Sequence, residues 1–495
     1  MDRNLCRKSL LSLFLLLFGL IASAFAQQKP DYNKLKPALN GNIPREVPKF
    51  PFSAFPIDTR PMFDYFMWQN FVALMWPADA HGTPYEPDNP AIFGKYDASR
   101  QPAWVGWKSA NDLYPEDGSA PPAWDQENGE SVCTNYPAND KRLMLIRLTE
   151  FGTVADELDQ AFAGPLPDQT GLFTRYSIGV NRAEYDFVRN NQYYLKSKWP
   201  ADGKITLPES SAAGVGSIEV KAAWRELTKV PPKFWGRFYH LQALVAIPNT
   251  CKIEPGTERT VCECEPLEVG LVGFHIAHKT ADFPQWVWST FEQVDNLGED
   301  PTTPPDMQPS YFDSDFYKKH GGTRSNPPDH PGSNRVPKAG DFDPTPINVV
   351  RLSAIPNTPA GGYSTTDLNQ LYRSLFKGTV WENYELIGAQ WSTLPAFPPQ
   401  SPLNSNFGCE DGTSPAGGGL AFPPCQVANI TMETYHQYDS CQNCHQGAQR
   451  AGADFSWILA IRAYAPASAP KPFFRFFKPF TPLSGGTSLS GEKKP

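Results

Sequence analysis

Fifty-one of the 495 residues are proline, about twice the usual share. Each proline fixes its own φ and removes one backbone donor, which excludes a bundle of long helices and favours many short elements joined by stiff loops. The runs between the prolines agree. RLMLIRL (142–148), SIEVKAAW (217–224), RFYHLQALVAI (237–247), LEVGLVGFHIAH (267–278), WVWSTF (286–291) and NYELIGAQW (383–391) are rich in β-branched and aromatic residues. Turn residues bound most of them, so they predict strands of a large, mostly antiparallel sheet. Helical spacing is confined to a few places. Phe63, Phe66, Met67, Phe71 and Leu74 repeat along PMFDYFMWQNFVALMW (61–76), with Pro61 in the first turn. Thr366 is the expected cap of DLNQLYRSLF. Residues 301–346 hold ten prolines and form a surface excursion, and residues 401–425 read as loop.

The N-terminus predicts export. Arg3, Arg7 and Lys8 precede an apolar run from Leu10 to Ile21, and Ala24-Phe25-Ala26 is a small-x-small cleavage pattern. This is the pattern of a secretory signal peptide over residues 1–26, too short for a membrane span. No cysteine follows the apolar run and no later run is long enough to cross a bilayer. The mature chain is therefore expected in the periplasm or secreted, with no membrane span. It keeps 41 basic against 51 acidic residues, a net charge of −10, which excludes the basic stripe that nucleic acid requires.

Nine cysteines are present, and Cys6 leaves with the signal. Setting Cys441 and Cys444 aside leaves Cys133, Cys251, Cys262, Cys264, Cys409 and Cys425. An even number in an oxidising compartment predicts three disulfides. Cys409 with Cys425 is the natural local pair. Cys251 can reach Cys262 or Cys264, leaving the other for Cys133.

The feature that carries chemistry is SCQNCHQG (440–447), with Cys441, Cys444 and His445 in Cys-x-x-Cys-His spacing. On a helix, positions i, i+3 and i+4 share a face. Two thiols there can add to the two vinyl groups of one porphyrin edge, and the imidazole falls beneath the ring centre to bind iron. The pattern is the attachment sequence of c-type haem. A chain of this composition would hold it by chance about 0.003 times, so it is read as chemistry. The alternative, a disulfide or half a zinc site, would need two more Cys or His ligands at short spacing, and none follows His445. Asn429 is the expected cap of a helix over ITMETYHQY leading into the motif. Downstream, Phe455, Trp457, Ile458 and Ile461 can cover a porphyrin or simply pack a core.

No Met or His follows His445, so a sixth iron ligand would have to come from upstream. His275 and His278 are the candidates, because alternation along one strand puts them on opposite faces. Met67 and Met75 read as core, and His320 and His330 lie in the proline-rich excursion. Met432 and His436 sit too near the motif to reach the opposite haem face.

The remaining features are weaker. G-x-S-x-G, P-loop, dinucleotide and H-E-x-x-H patterns do not occur. Glu219 and Lys221 alternate with apolar residues as a charged strand face. Asp282 and Glu292 read as a solvated rim beside WVWSTF. The Asn429-Ile430-Thr431 sequon reads as incidental.

Several stretches together resemble a family of exported bacterial proteins with a single cytochrome c motif at the C-terminus. They are FDYFMWQNFVALMWP (63–77), GSIEVKAAW (216–224), LVGFHIAHKTADFPQWVWSTFEQVDN (271–296), NYELIGAQW (383–391), and METYHQYDSCQNCHQGA with DFSWIL. The resemblance implies one covalent haem c held by Cys441, Cys444 and His445, and implies no particular reaction.

The expected architecture is α+β and β-rich. Residues 27–425 form a mostly antiparallel sheet assembly, 426–465 a short helical haem-binding segment, and 466–495 a tail rich in Pro and Phe that ends in disorder. The expected function is single-electron transfer with a redox partner protein. The alternatives are a peroxidase-like oxidoreductase and a non-catalytic sensor, both using an open iron position.

Overall fold

The computed structural model describes residues 37–48, 60–115, 118–126, 132–137, 140, 142–145, 165–247, 250–255, 260–315, 345–357, 364–392, 424, 426–435, 437 and 440–465. The signal segment, His320, His330, His436, Cys409 and Cys425 lie outside the described residues, as does the tail beyond Ala465. The chain through Tyr464 forms one compact unit, and no helix among the described residues is long and apolar enough to cross a membrane.

An eight-stranded sheet dominates, as expected for an α+β chain. Its strands are β1 (Lys108–Ser109), β2 (Met144–Leu145), β3 (Arg175–Val180), β4 (Ile218–Glu226), β5 (His240–Ala246), β6 (Cys264–Thr280), β7 (Phe283–Gln293) and β8 (Tyr384–Gln390). The main path runs β8-β7-β6-β4-β3-β1. Every pairing along it is antiparallel, and β5 pairs the first half of β6 in the same sense. Only β2 runs parallel to its neighbour, β5. The 17-residue β6 is the spine, because its first half pairs with β5 and its second with β7 while β4 lies along its other side.

Period-two alternation gives the spine two different faces. On one, Phe274 and Ile276 of β6 join Val220 and Trp224 of β4 and Phe291 of β7. Two helices cover this face: α1 (Arg60–Leu74) and, later in the chain, a helix over Thr365–Leu375. α1 is buried on nearly every side, as a helix that is hydrophobic all round must be. Its Phe63 stacks on Trp391 with centroids 3.9 Å apart, and Phe71 packs on Phe291 at 4.5 Å. Truncating a buried phenylalanine in such a cluster costs roughly 3–5 kcal/mol. Met67 and Met75 are core, as expected.

The opposite face carries Ala277, Trp286 and Trp288 at one end and Ala223 and Val272 at the other. It is covered by α2 (Ala110–Leu113), α3 (Arg182–Asn190) and the C-terminal segment, which holds α5 (Cys441–Arg450) and α6 (Trp457–Arg462). The Thr365–Leu375 helix is α4 by chain order. β3 and α3 were not foreseen. Asn181 caps α3 by accepting from Glu184 N at 3.2 Å.

Two local expectations are corrected. α4 is capped by Ser364, not Thr366: Ser364 and Asp367 form a reciprocal capping box, because the cap must stand three residues before its partner. Residues 429–435 form turns instead of a helix. Asn429 donates to Thr290 Oγ1 at 2.7 Å and Phe291 O at 2.9 Å, and Glu292 Oε1 takes the N–H of Ile430 at 2.8 Å. These bonds to β7 hold the segment flat against the sheet. Gly273 permits that approach, since an added Cβ would run into Thr431 Oγ1.

Two disulfides are present among the described residues. Cys251 pairs with Cys262 across a short hairpin, and Cys133 pairs with Cys264 over a separation of 131 residues. Cys441 and Cys444 take part in neither. The expected Cys409–Cys425 pair lies outside the described residues.

Candidate functional site

Cys441, Cys444 and His445 all fall on α5, in its first two turns, and each is partly buried. The helix is held by its neighbours rather than by its own length. Trp457 of α6 donates from Nε1 to Cys444 O at 3.1 Å. Its ring lies where a Cβ on Gly447 would come within 2.6 Å, so the glycine after the motif lets the two helices meet. Gly452 then ends the helix with φ +84°, the left-handed conformation that glycine adopts without a Cβ penalty.

Beyond Ala453 the chain turns left-handed again at two non-glycine residues, Asp454 at φ +48° and Phe455 at +66°. That reversal aims two groups back at the site. The Phe455 carbonyl oxygen accepts from His445 Nδ1 at 2.7 Å. The neutral imidazole then carries its proton on Nδ1 and its lone pair on Nε2. A carbonyl on the second nitrogen is the usual way a ligating histidine is oriented and made more basic. On its side, Trp288 of β7 packs its ring 4.2 Å from the His445 ring, tilted by 42°. Phe455 and Ile458 are buried in the same cluster, with Trp457 and Ile461 at its edge.

Asp454 faces inward. Its Oδ2 accepts from Lys279 Nζ and from Leu207 N, each at 2.6 Å. Burial pushes the Asp454 carboxyl up to about 6, and the Lys279 charge opposes that rise. Lys279 lies at the end of β6 and is itself 1% exposed, so the ion pair pins the segment after α5 to the spine of the sheet.

The two candidate axial histidines do stand on opposite faces, with different fates. His278 lies on the α1 side and is fully buried. Its Nε2 bonds Ser210 Oγ at 2.6 Å and its Nδ1 bonds Asn70 Oδ1 at 2.8 Å. Phe66 stacks on the ring, and burial pushes its pKa down to about 3. His278 is therefore a neutral core residue, and its candidacy as an iron ligand is corrected: both nitrogens are occupied on the wrong face. His275 is on the face covered by the C-terminal segment, opposite Lys221 and Thr290 in register. Its Nε2 lies 3.5 Å from Glu433 Oε2. Burial pushes Glu433 up, but His275 and Lys221 outweigh it and hold the carboxyl below its ordinary value.

Other residues move from rim to interior. Glu292 is buried and binds Arg351 through both oxygens, at 3.1 and 2.6 Å. Asp282 is exposed. Met432 is core. Asn429 is fully buried with its amide bonded, which removes the sequon from use. Cys262 and Cys264 belong to separate disulfides, with Cys251 and Cys133 respectively. Among the described residues, no group of three or more His, Cys, Asp and Glu side chains is placed to hold a metal ion.

Sequence reasoning missed the Phe455 carbonyl, the Trp288 ring and the Lys279–Asp454 pair. The only local sign was Gly452, a helix stop directly after the motif helix. No family model, no curated protein and no solved structure matches this chain.

Proposed function

We propose that the chain is a mono-haem c-type cytochrome that passes single electrons outside the cytoplasm, to or from a protein partner. One observation carries the reading: on the helix that presents Cys441 and Cys444 one turn apart, His445 donates from Nδ1 to the Phe455 carbonyl. The donor set fits haem c. Cys441 and Cys444 would form the two thioethers, and Nε2 of His445 would bind the iron. When bound, the haem supplies a ferric/ferrous couple. The protein's part is to fix the imidazole tautomer through Phe455, to hold its plane against Trp288, and to tie the segment to the sheet through Asp454 and Lys279. The two disulfides are compatible with a periplasmic or extracellular protein.

A second reading is favoured by the histidines. His278 is locked away and His275 is engaged by Glu433, which supports an open position opposite His445. Such a position would suit a peroxidase-like oxidoreductase or a diatomic-gas sensor.

The test is production of the chain with a haem-attachment system. Colour that survives a denaturing gel, and its loss in the Cys441→Ala/Cys444→Ala double variant, is the expected result. A wild type that loses its colour overturns the haem reading. A low-spin, six-coordinate spectrum supports electron transfer, and a high-spin spectrum moves the reading to peroxide or gas chemistry.

A further inference from the structure

β7 places two indoles beneath the motif helix. Trp286 and Trp288 are two residues apart on one strand and so share a face. Their rings stack with centroids 5.9 Å apart and planes at 29°. Trp288 is the one that meets the site, since its ring centre lies 4.2 Å from that of His445. Phe455, whose carbonyl accepts from His445 Nδ1, flanks the same indole at 6.4 Å. Both indoles are buried, Trp286 completely. Trp286 holds its place with φ +67°, a left-handed backbone that is an outlier for so bulky a side chain. Such strain persists only where the surroundings over-determine it, and it gathers at functional sites.

Packing alone would be served by any ring of that size. Indole brings a further property: with phenol, it is the side chain that gives up one electron most readily. The surroundings of Trp288 suit the product. Its Nε1 donates to the carbonyl of Gln285 at 3.1 Å. A carbonyl oxygen stabilises positive charge on the indole but is too weak a base to take its proton, so an oxidised Trp288 stays protonated. The face of the Trp286 ring is electron-rich, which favours a cation stacked on it. Burial of both rings keeps water away from the charge-bearing atoms. Trp457 also reaches the motif, but it does so by donating to Cys444 O, and its ring is partly exposed.

We propose that Trp288 is a second oxidation site beside the haem: when the haem-loaded chain reduces hydrogen peroxide, Trp288 supplies one of the two electrons and stays oxidised, as a cation radical, until a one-electron donor protein refills it. This rests on the peroxidase-like reading above. In the balanced step the peroxide O–O bond breaks. One oxygen leaves as water with both of the peroxide's protons, and the other stays at the haem. One electron comes from the iron and one from Trp288. Two electrons from the donor protein and two protons from solvent then give the second water and restore ferric iron and neutral indole. The route from His445 to Trp288 needs no carrier between them, because the two rings are in contact.

The experiment mixes the haem-loaded full chain with one equivalent of hydrogen peroxide, freezes it and records electron paramagnetic resonance spectra. Wild type should show an organic radical. Growth on ring-deuterated tryptophan should narrow its lines, a readout that needs no variant. Trp288→Phe should lose the tryptophan signal, and Trp288→Tyr should replace it with a tyrosyl signal. Trp457→Phe should leave it in place. A merely structural Trp288 would keep a tryptophan radical in the Tyr variant. A haem-bearing wild type that consumes peroxide without a tryptophan radical overturns this proposal alone, as does a tryptophan radical that survives in Trp288→Phe. A ferric wild type that does not react with peroxide overturns the peroxidase-like reading, and the radical site with it. Absence of covalent haem on the denaturing gel overturns the cytochrome reading as well.

Discussion

His445 Nδ1 lies 2.7 Å from the carbonyl oxygen of Phe455, ten residues further along the chain. Phe455 holds that carbonyl in place with a left-handed backbone, φ +66°, and Asp454 before it is left-handed as well. A non-glycine residue in that region costs of order 1–3 kcal/mol and persists where surrounding contacts over-determine it. Here the contacts are Asp454 with Lys279 and with Leu207 N.

Asp454→Ala should therefore act twice. It leaves Lys279 buried without its carboxylate, a loss of roughly 3–5 kcal/mol, read as a lower urea midpoint. It also loosens the turn that carries the Phe455 carbonyl. In the haem-loaded protein the histidine–iron stretch should move to lower frequency, because the imidazole loses its acceptor. An unchanged stretch would separate the ion pair from histidine orientation.

His278 predicts a pH effect with a definite sign. Its folded pKa is about 3 against 6.5 for the free group, so between those values the unfolded chain binds a proton that the folded protein does not. Its stabilising contribution is full above pH 6.5 and is lost as pH falls toward about 3, by up to roughly 5 kcal/mol. Asp454, raised from 3.8 to about 6, works the other way, since its protonated folded form favours folding at low pH. The destabilisation caused by His278→Ala should accordingly be largest near neutrality and shrink on acidification. A difference that stays constant from neutral to acid pH would contradict the buried neutral histidine. Haem retention should be unaffected.

Gly273→Ala tests how the C-terminal segment is seated. The added Cβ meets Thr431 and Asn429, so the turn must lift from β7 or the strand must shift. Overpacking of this kind costs typically 1–3 kcal/mol. The expected sign is a lower unfolding midpoint together with faster hydrogen exchange at Ile430 N, whose acceptor is Glu292.

The disulfides should differ in weight. Cys133–Cys264 closes 131 residues and Cys251–Cys262 closes 11. Chain-entropy reasoning gives about 5 and about 3 kcal/mol respectively. Cys133→Ala should thus destabilise more than Cys251→Ala in chemical denaturation. Peptide mapping of the unreduced protein should recover both pairings.

What the sequence determined by itself was local. The Cys441–Cys444–His445 spacing specifies one helical face wherever the helix is placed, and α5 has it. β-branched and aromatic runs read correctly as β4, β6, β7 and β8, because period-two burial is written in neighbouring residues. Alternation also required His275 and His278 to face apart. Which face met which partner was decided only by tertiary structure. α1 turned His278 into a core residue by bringing Asn70 to it, and the C-terminal segment brought Glu433 to His275. Asn429 looked like a helix cap, but β7 supplied Thr290 and Phe291, partners far off in sequence that outcompete a local helix. Glu292 looked like a solvated rim until Arg351 met it. The Phe455 carbonyl carries no sequence signature at all, since every residue has one. A buried polar group must find a partner, and nothing local says which one, because that depends on the residues that packing brings within 3 Å or so.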